Sequence, residues 1–580
     1  MQLRLANSLV AVNWPSRPSQ AVSIARAREI RPTMAAGLAS WAIAGPFSGD
    51  ARAVLASDGS TVTGAVSTSS PNHPPTPTAR ADATNAAHAA HDGDTADESR
   101  DPARMHRYDR STEALAHAVV HYALDRVRLD PPPLDGPRTK ADLDRLGPTI
   151  TAAGLGGMAA LRVFCEHLAP ATISQDHPRA VSFVPTAPTE AAVLFDLVVG
   201  ASSIYAGSWM EGSGAVWAEN EALRWIAELV GMPATAGGVF VSGGTAGNLS
   251  ALVAARDVAR RKWGNPQTRW YVIVGSGAHS SIAAAARVMD IGVIKVPSDA
   301  TGRLRADDLR ACIRITREQG IAVGDSDREA GFAADIPPTP KGIVFAVAAT
   351  SGTTNLGLVD DLAGVSSITS EEGLWFHVDG AYGGAALAAP SVRHLFDGIE
   401  TADSFIVDPH KWLFAPFDCC ALLYRDPPAA ARAHAQHAAY LDVLHDDGDW
   451  NPSDYAIHLT RRARGLPLWY SLATHGTQAY VDAIEVAITV AREIADEIRV
   501  TPHLTLLFEP ELSVVVFRRN GWTADDYNAW SDRMLAEQIA FCVPTSVVTP
   551  EGDTETVLRF CIVNPRTTTN DLREILQTLA

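Results

Sequence analysis

Between about residue 200 and residue 430, short apolar runs alternate with amphipathic stretches. Six of the runs, Trp270–Val274, Val293–Val296, Ile343–Ala349, Trp375–Val378, Phe405–Val407 and Ala421–Tyr424, read as strands buried on both faces. Between several of them the period changes to that of a helix, as in Leu249–Arg261 and Ser281–Met289. This alternation predicts a largely parallel sheet covered by helices on both sides. In such sheets ligands bind beyond the carboxyl ends of the strands, so chemistry is to be sought in the turns that follow strands. Further on, the long helical stretches Trp469–Glu497 and Asp525–Ile539, with strands at Ser513–Phe517 and Val557–Ile562, predict a smaller α+β domain over residues 431–580. Upstream, Leu115, Ala118, Val119 and Tyr122 are spaced for one face of a helix that cannot continue through Pro131-Pro132-Pro133.

The start of the chain lacks such a pattern. From Ser57 to Arg104 the residues are mainly Ala, Ser, Thr, Pro, Asp and His, which cannot bury enough apolar surface to build a core. Residues 1–104 are therefore expected to be a flexible low-complexity leader or an over-extended upstream start, with Met105 standing where foldable sequence begins. Peptides from before Met105 in the natively expressed protein would rule out the second alternative.

Composition narrows the function. The 580 residues are 46% hydrophobic and 20% charged, which excludes a disordered chain, a collagen-like repeat and a small disulfide scaffold. Against 66 acidic residues stand 48 Lys and Arg, a net charge of −18 with no basic cluster, so nucleic acid is not an expected partner. No uncharged stretch is apolar and long enough to span a membrane, and the run after Arg4 is broken by Asn7 and Ser8, unlike a secretory signal. The six cysteines form no CxxC and have no His at ligand spacing; buried thiols of a reducing compartment, the cytoplasm, and no metal site are expected.

Three segments carry candidate chemistry. Val239-Phe240-Val241-Ser242-Gly243-Gly244-Thr245-Ala246-Gly247-Asn248 reads as a strand end, a Gly-rich turn and a helix start, where free backbone N–H groups and the helix dipole suit a phosphate. Glycines in such a turn more often serve tight packing alone. Trp375-Phe376-His377-Val378-Asp379-Gly380-Ala381 ends an apolar strand on a carboxylate that can anchor a cationic nitrogen, or merely cap a turn. Phe405-Ile406-Val407-Asp408-Pro409-His410-Lys411-Trp412 places a lysine among Phe405, Trp412 and Phe414, where desolvation would favour the neutral, nucleophilic amine unless the side chain snorkels to water. Lys411 follows Asp379 by 32 residues, at the next strand end, and the phosphate-type turn precedes both.

With Ala278-His279-Ser280-Ser281 and Ala349-Thr350-Ser351-Gly352-Thr353-Thr354 in the same order, the chain resembles the group II pyridoxal 5′-phosphate (PLP)-dependent amino-acid decarboxylases. These are the aromatic-L-amino-acid and glutamate decarboxylases, and the likeness runs from about Asp109 to the end. It implies the α/β fold of the aspartate-aminotransferase type, with a helical dimerisation segment over residues 105–200, a large PLP-binding domain over 201–430, and a mobile loop and small domain over 431–580. It also implies roles for individual residues. Lys411 would be joined to the cofactor aldehyde, and Asp379 would keep the pyridine nitrogen protonated. His279 would lie on one ring face, with Ala381 on the other and Thr350 in the same wall. Gly243, Gly244 and Thr245 would cradle the phosphate, close to Asp408, which stands where the family usually has Asn.

Decarboxylation requires the α-carboxylate to lie out of the ring plane. His410 matches a histidine placed against substrate and carboxylate, and Tyr440 matches a mobile-loop tyrosine that protonates Cα; family members that form aldehydes carry Phe there. The resemblance therefore implies a homodimeric lyase with shared active sites that takes an L-amino acid to its amine. The rivals are transamination or aldehyde formation on the same scaffold, or a PLP-binding protein without turnover. Phe183 and Thr186 match the family segment that lines the substrate pocket, and Arg559 matches an arginine that approaches the substrate carboxylate in glutamate-type members, or a structural ion pair. Glu211 is the one substrate clue outside the pattern. Facing the pocket, it would favour a distal amine over glutamate; facing solvent, it says nothing.

Overall fold

The computed structural model describes residues 103–297, 301–325, 340–436, 450–548 and 553–580. An eight-stranded sheet forms its centre, in the order β1-β8-β7-β6-β5-β2-β3 with β4 also paired to β5. The strands are β1 (Gly237–Val241), β2 (Arg269–Gly275), β3 (Gly292–Val296), β4 (Ile321–Val323), β5 (Gly342–Thr350), β6 (Trp375–Asp379), β7 (Ser404–Val407) and β8 (Cys420–Tyr424). All six expected strands are present to within a few residues. Pairings of β2 with β3 and β5, and of β5 with β4 and β6, are parallel, as is that of β6 with β7; β8 is antiparallel to both its neighbours, β1 and β7. The α/β fold class holds, and solved structures reported below share it.

Successive residues of a strand point to opposite faces, and the core divides accordingly. Val239 and Val241 of β1 belong to one apolar cluster, with Val272, Val274 and Ile406, whereas Phe240 joins a second with Ile273, Val344 and Phe405. Every residue of β5, β6, β7 and β8 is buried. That burial on both faces is why these runs are uniformly apolar.

Strand direction positions the site. Thr350 pairs with Asp379 and Asp379 with Ile406, so β5, β6 and β7 end in one row. Because β8 reverses direction twice relative to its neighbours, β1 runs the same way as β7 and opens its carboxyl end, Val241, at the same edge. The helix α1 (Gly244–Lys262) starts there, and α2 (Ser280–Met289) follows β2.

The remaining four strands, β9 (Leu504–Leu506), β10 (Val514–Arg519), β11 (Thr545–Val548) and β12 (Thr554–Cys561), form an antiparallel sheet in the order β11-β12-β10-β9. The long helix expected over Trp469–Glu497 is two, Leu466–His475 and Thr477–Val500, because Gly476 between them has φ 77°, a conformation that ends a helix. Near the start, the helix Arg110–Val127 is capped by Asp109, whose carboxylate accepts from the N–H groups of Ser111 and Thr112, yet it buries none of its residues. Most of the expected leader, residues 1–102, lies outside the described residues.

Candidate active site

The strand ends enclose a cavity of about 310 Å³ lined by residues from Ser242 to Asp418. Ten of the residues singled out from sequence meet in its wall: Gly243, Gly244, Thr245, His279, Thr350, Asp379, Ala381, Asp408, His410 and Lys411. The local reasons are visible. Lys411 N–H donates to the Asp408 carbonyl at 2.9 Å, closing a four-residue turn with Pro409 at its second position, where the ring's fixed φ favours the bend. The turn brings the two side chains together, and Lys411 Nζ lies 2.8 Å from Asp408 Oδ2.

This ion pair corrects the expectation of a neutral amine. Burial pulls the Lys411 pKa down, but the charge of Asp408, its hydrogen bond and the more distant Asp379 outweigh it, and the net shift is upward. Lys411 in the cofactor-free chain is an ammonium donating to Asp408. Replacing Asp408 with Asn removes the largest upward contributions and leaves burial in control. The pH at which the cofactor-free chain gains reactivity toward an aldehyde should then fall. Stopped-flow uptake of PLP across pH measures this; an unchanged profile would remove the pair from the account.

Asp379 ends β6 and is buried; its Oδ1 accepts from Ala381 N–H at 3.1 Å and its Oδ2 from Asn248 Nδ2 at 2.9 Å. His279 is the N-cap of α2, its Nδ1 accepting from Ser281 N–H at 3.2 Å, so the side chain is held at the cavity edge by the helix it caps. His410 Nδ1 lies 2.7 Å from the Cys419 carbonyl, and its Nε2 3.7 Å from Asp408 Oδ2. Burial lowers the His410 pKa and keeps the ring neutral, an effect that the charge of Asp408 opposes only in part.

The residues fit a phosphorylated pyridine aldehyde. The first turn of α1 has no side-chain cap, so its N–H groups are open to an anion, with Thr245 beside them. A Cβ at Gly244 would meet the Ala381 Cβ and the Asp408 Oδ2 at 3.3 Å each, so the backbone is close to the cavity floor because no side chain intervenes. Asp408 Oδ1 is buried without a hydrogen-bond partner, an acceptor that a bound donor would satisfy.

A family model for the pyridoxal-dependent decarboxylase conserved domain matches residues 162–324 and 338–520, more than half of the chain and all of this wall. The chain belongs to the pyridoxal-dependent decarboxylase family. As a member it is a PLP-dependent amino-acid decarboxylase, a carboxy-lyase. It is 28% identical over 408 residues to an aromatic-L-amino-acid decarboxylase of Bacillus atrophaeus, covering 69% of this chain and 80% of that one. An L-2,4-diaminobutyrate decarboxylase of Acinetobacter baumannii is 26% identical, with 73% and 83% covered, and a 4-hydroxyphenylacetaldehyde synthase of Rhodiola rosea is 28% identical, with 61% and 70% covered. The crystal structure of an Oryza sativa TDC with PLP and tryptamine shares the fold, with a TM-score of 0.71 at 24% identity over 82% of this chain and 98% of that one.

Other expected site residues of the family match stand apart from the cavity wall. Glu211 is exposed on the helix Trp209–Val230, where its carboxylate accepts from Ser208 Oγ at 2.8 Å; the distal-amine clue therefore has no support from its position. Phe183 is 62% exposed and packs against Phe541, and Thr186 Oγ1 donates to the Ala415 carbonyl at 3.3 Å. Arg559 is buried and, among the described residues, forms no ion pair with a carboxylate: its guanidinium donates to the carbonyls of Thr354 and Phe183, tying a cavity residue to the Phe183 segment. Tyr440 lies outside the described residues.

Sequence reasoning passed over Asn248, Ser281, Phe417 and Asp418, all in the wall. Asn248 and Ser281 fall inside the motifs already quoted, and only their contacts across the sheet reveal them. Phe417 lies with its ring 5.0 Å from that of His410, and Asp418 is paired with Arg464 at 2.8 Å.

Proposed function

We propose that the chain decarboxylates an L-amino acid with an aromatic side chain and releases the amine. The observation that carries the substrate class is Phe417, which lies in the cavity wall against His410 and offers an apolar ring face to a substrate side chain. The nearby carboxylate of Asp418 is engaged by Arg464, which weakens the case for a substrate with a distal amine. When bound, the cofactor supplies a cationic ring that accepts the electron pair left on Cα as carbon dioxide departs.

The chain's own residues do the rest. Asp379 would hold a proton on the ring nitrogen by presenting a buried carboxylate to it. The N-terminus of α1 with Thr245 would hold the phosphate, and His279 and Ala381 would bound the ring. His410, neutral and fixed at Nδ1, would orient the carboxylate. Tyr440 would return a proton to Cα, a role that rests on its resemblance to the family's mobile-loop tyrosine.

A panel of tryptophan, tyrosine, phenylalanine, 2,4-diaminobutyrate, ornithine and glutamate, with carbon dioxide and product both measured, tests the reading. An aromatic amino acid should be turned over fastest and give amine. A faster rate with diaminobutyrate or glutamate would overturn the substrate class. The same panel on Tyr440→Phe should release carbon dioxide and yield aldehyde; undiminished amine would remove Tyr440 from the proton step.

The assembly we propose is a homodimer. In the single chain the helices Arg110–Val127 and Gly157–Val163 bury nothing, and Met105, Val119, Met158, Phe164 and Leu168 are exposed together on this segment. A second copy would cover them, and sedimentation should give twice the chain mass. Six unpaired cysteines suit a reducing compartment, and we place the protein in the cytoplasm, which cell fractionation would test. Among the described residues no helix is long and apolar enough to cross a membrane.

A further inference from the structure

Behind the cavity lies a chain of buried polar groups that joins two of its walls. Asn248, 1% exposed on α1, sits at the centre. Its Nδ2 is 2.9 Å from Asp379 Oδ2 and 2.8 Å from Ser281 Oγ, and its Oδ1 is 2.8 Å from His377 Nε2. His377 Nδ1 in turn lies 2.8 Å from Ser404 Oγ, which accepts from Trp375 Nε1 at 2.8 Å. On the other side Ser281 Oγ lies 2.9 Å from His279 Nδ1.

Proton counting fixes the direction of every link. A side-chain amide has two N–H donors and one carbonyl acceptor. Turning the amide over would set its oxygen against the Asp379 carboxylate, so both hydrogens are committed, one to Asp379 and one to Ser281. The carbonyl then requires a donor, and His377 must carry its proton on Nε2. Its Nδ1 accepts from the Ser404 hydroxyl, which is consistent with the indole of Trp375 being a donor only. Burial keeps His377 neutral, lowering its pKa to about 4 against the opposing charge of Asp379. Because His279 Nδ1 accepts from Ser281 N–H at 3.2 Å it carries no proton, so the Ser281 hydroxyl, which accepts from Asn248, gives its own hydrogen to that Nδ1. The His279 ring proton is thereby left on Nε2.

We propose that Asn248 is a positioning residue that acts on both ring-facing groups at once, holding the Asp379 carboxylate directly and, by fixing the Ser281 hydroxyl, aiming a second donor at His279 Nδ1. The functional consequence rests on the cofactor reading above; the tautomers do not. One amide therefore couples the group beneath the pyridine nitrogen to the group on the ring face. Losing it should cost cofactor affinity while leaving Asp379, His279 and Lys411 themselves in place.

The test uses the full chain stripped of cofactor, the parent alongside Asn248→Asp and Asn248→Ala. Nitrogen-15 magic-angle-spinning spectra of histidine-labelled parent, assigned with His279→Gln and His377→Gln, should show both rings as Nε2–H tautomers. A parent His279 carrying its proton on Nδ1 would overturn the proposal whether or not any variant folds. In Asn248→Asp the new carboxylate accepts the Ser281 hydrogen, so His279 Nδ1 should lose its hydroxyl donor and its nitrogen signal should move, with the tautomer still held by Ser281 N–H, while His377 keeps its signal. PLP titration, followed by tryptophan fluorescence, should show affinity lowered about 10- to 100-fold at pH 8 in both variants.

The groups facing this position are Asp379 and His377 of β6, Ser281 and His279 of α2, and, across the cavity, Asp408 and Lys411. Protonating the new carboxylate returns a donor toward Asp379. The Asn248→Asp deficit relative to parent should therefore shrink toward pH 5, while that of Asn248→Ala stays constant. A merely structural loss would move both alike, and equal deficits at every pH would contradict the proposal. A parent with the expected tautomers that binds no PLP at pH 8 would instead refute the cofactor reading and leave the hydrogen-bond assignment standing.

Discussion

Lys411→Ala is expected to lower turnover by on the order of 10³-fold or more and to abolish the covalent hold on the cofactor, because the only amine that the described residues place in the cavity wall is lost. The phosphate and ring contacts proposed for Gly243, Gly244, Thr245 and Asp379 would remain, so PLP should still bind, reversibly and with the spectrum of a free aldehyde. The effect separates chemistry from binding: the variant loses kcat far more than it loses cofactor affinity. Turnover within tenfold of the parent, at saturating PLP, would mean that another amine does the work. Asp408, left with neither Lys411 nor a partner for its Oδ1, becomes an uncompensated buried acceptor in this variant. A modest loss of stability is expected alongside the catalytic loss, so thermal unfolding should be recorded on the same preparation.

Asp379→Asn should be the second-largest effect, lowering the rate by roughly 10²- to 10³-fold. The change is nearly isosteric and keeps the acceptor for Ala381 N–H, but it takes away the charge that favours a protonated pyridine nitrogen. It also places an amide against the amide of Asn248, where one pairing of donors must fail. Cofactor absorbance should lose its dependence on a buried anion and shift toward that of the unprotonated ring, while Lys411 still reacts. A variant that decarboxylates at more than a tenth of the parental rate would show that the ring does not need this charge.

Much of this arrangement could be read along the chain because a parallel sheet places its chemistry at strand ends. The run Trp375–Val378 had to stop somewhere, and the carboxylate that stops it is Asp379; the same logic found Lys411 after Val407. Uniform burial of β5 to β8 made those strands conspicuous. Strands of three or four residues such as Ile321–Val323, Leu504–Leu506 and Thr545–Val548 left no such trace, since too few positions repeat to reveal a period.

What the sequence concealed depends on pairs that meet only after folding. The protonation of Lys411 turned on Asp408, three residues earlier, and desolvation alone gave the wrong sign. Asn248 and Asp379 are 131 residues apart, and nothing local in either segment announces their bond. Phe183 matched a pocket segment by register and Glu211 stood out as a departure from the pattern, yet in the single chain neither side chain reaches the cavity wall. Arg559 turned out to hold two carbonyls, an outcome that no charge pattern foretells.

The central claim is that the amine of Lys411, set between Asp379 and the turn at Gly243–Thr245, is where the cofactor is held. Reduction of the PLP-loaded chain with borohydride, followed by proteolysis and mass spectrometry of the labelled peptide, tests it directly. The account requires a single phosphopyridoxyl group, on Lys411. A label on any other lysine, or none after saturation with PLP, would contradict it.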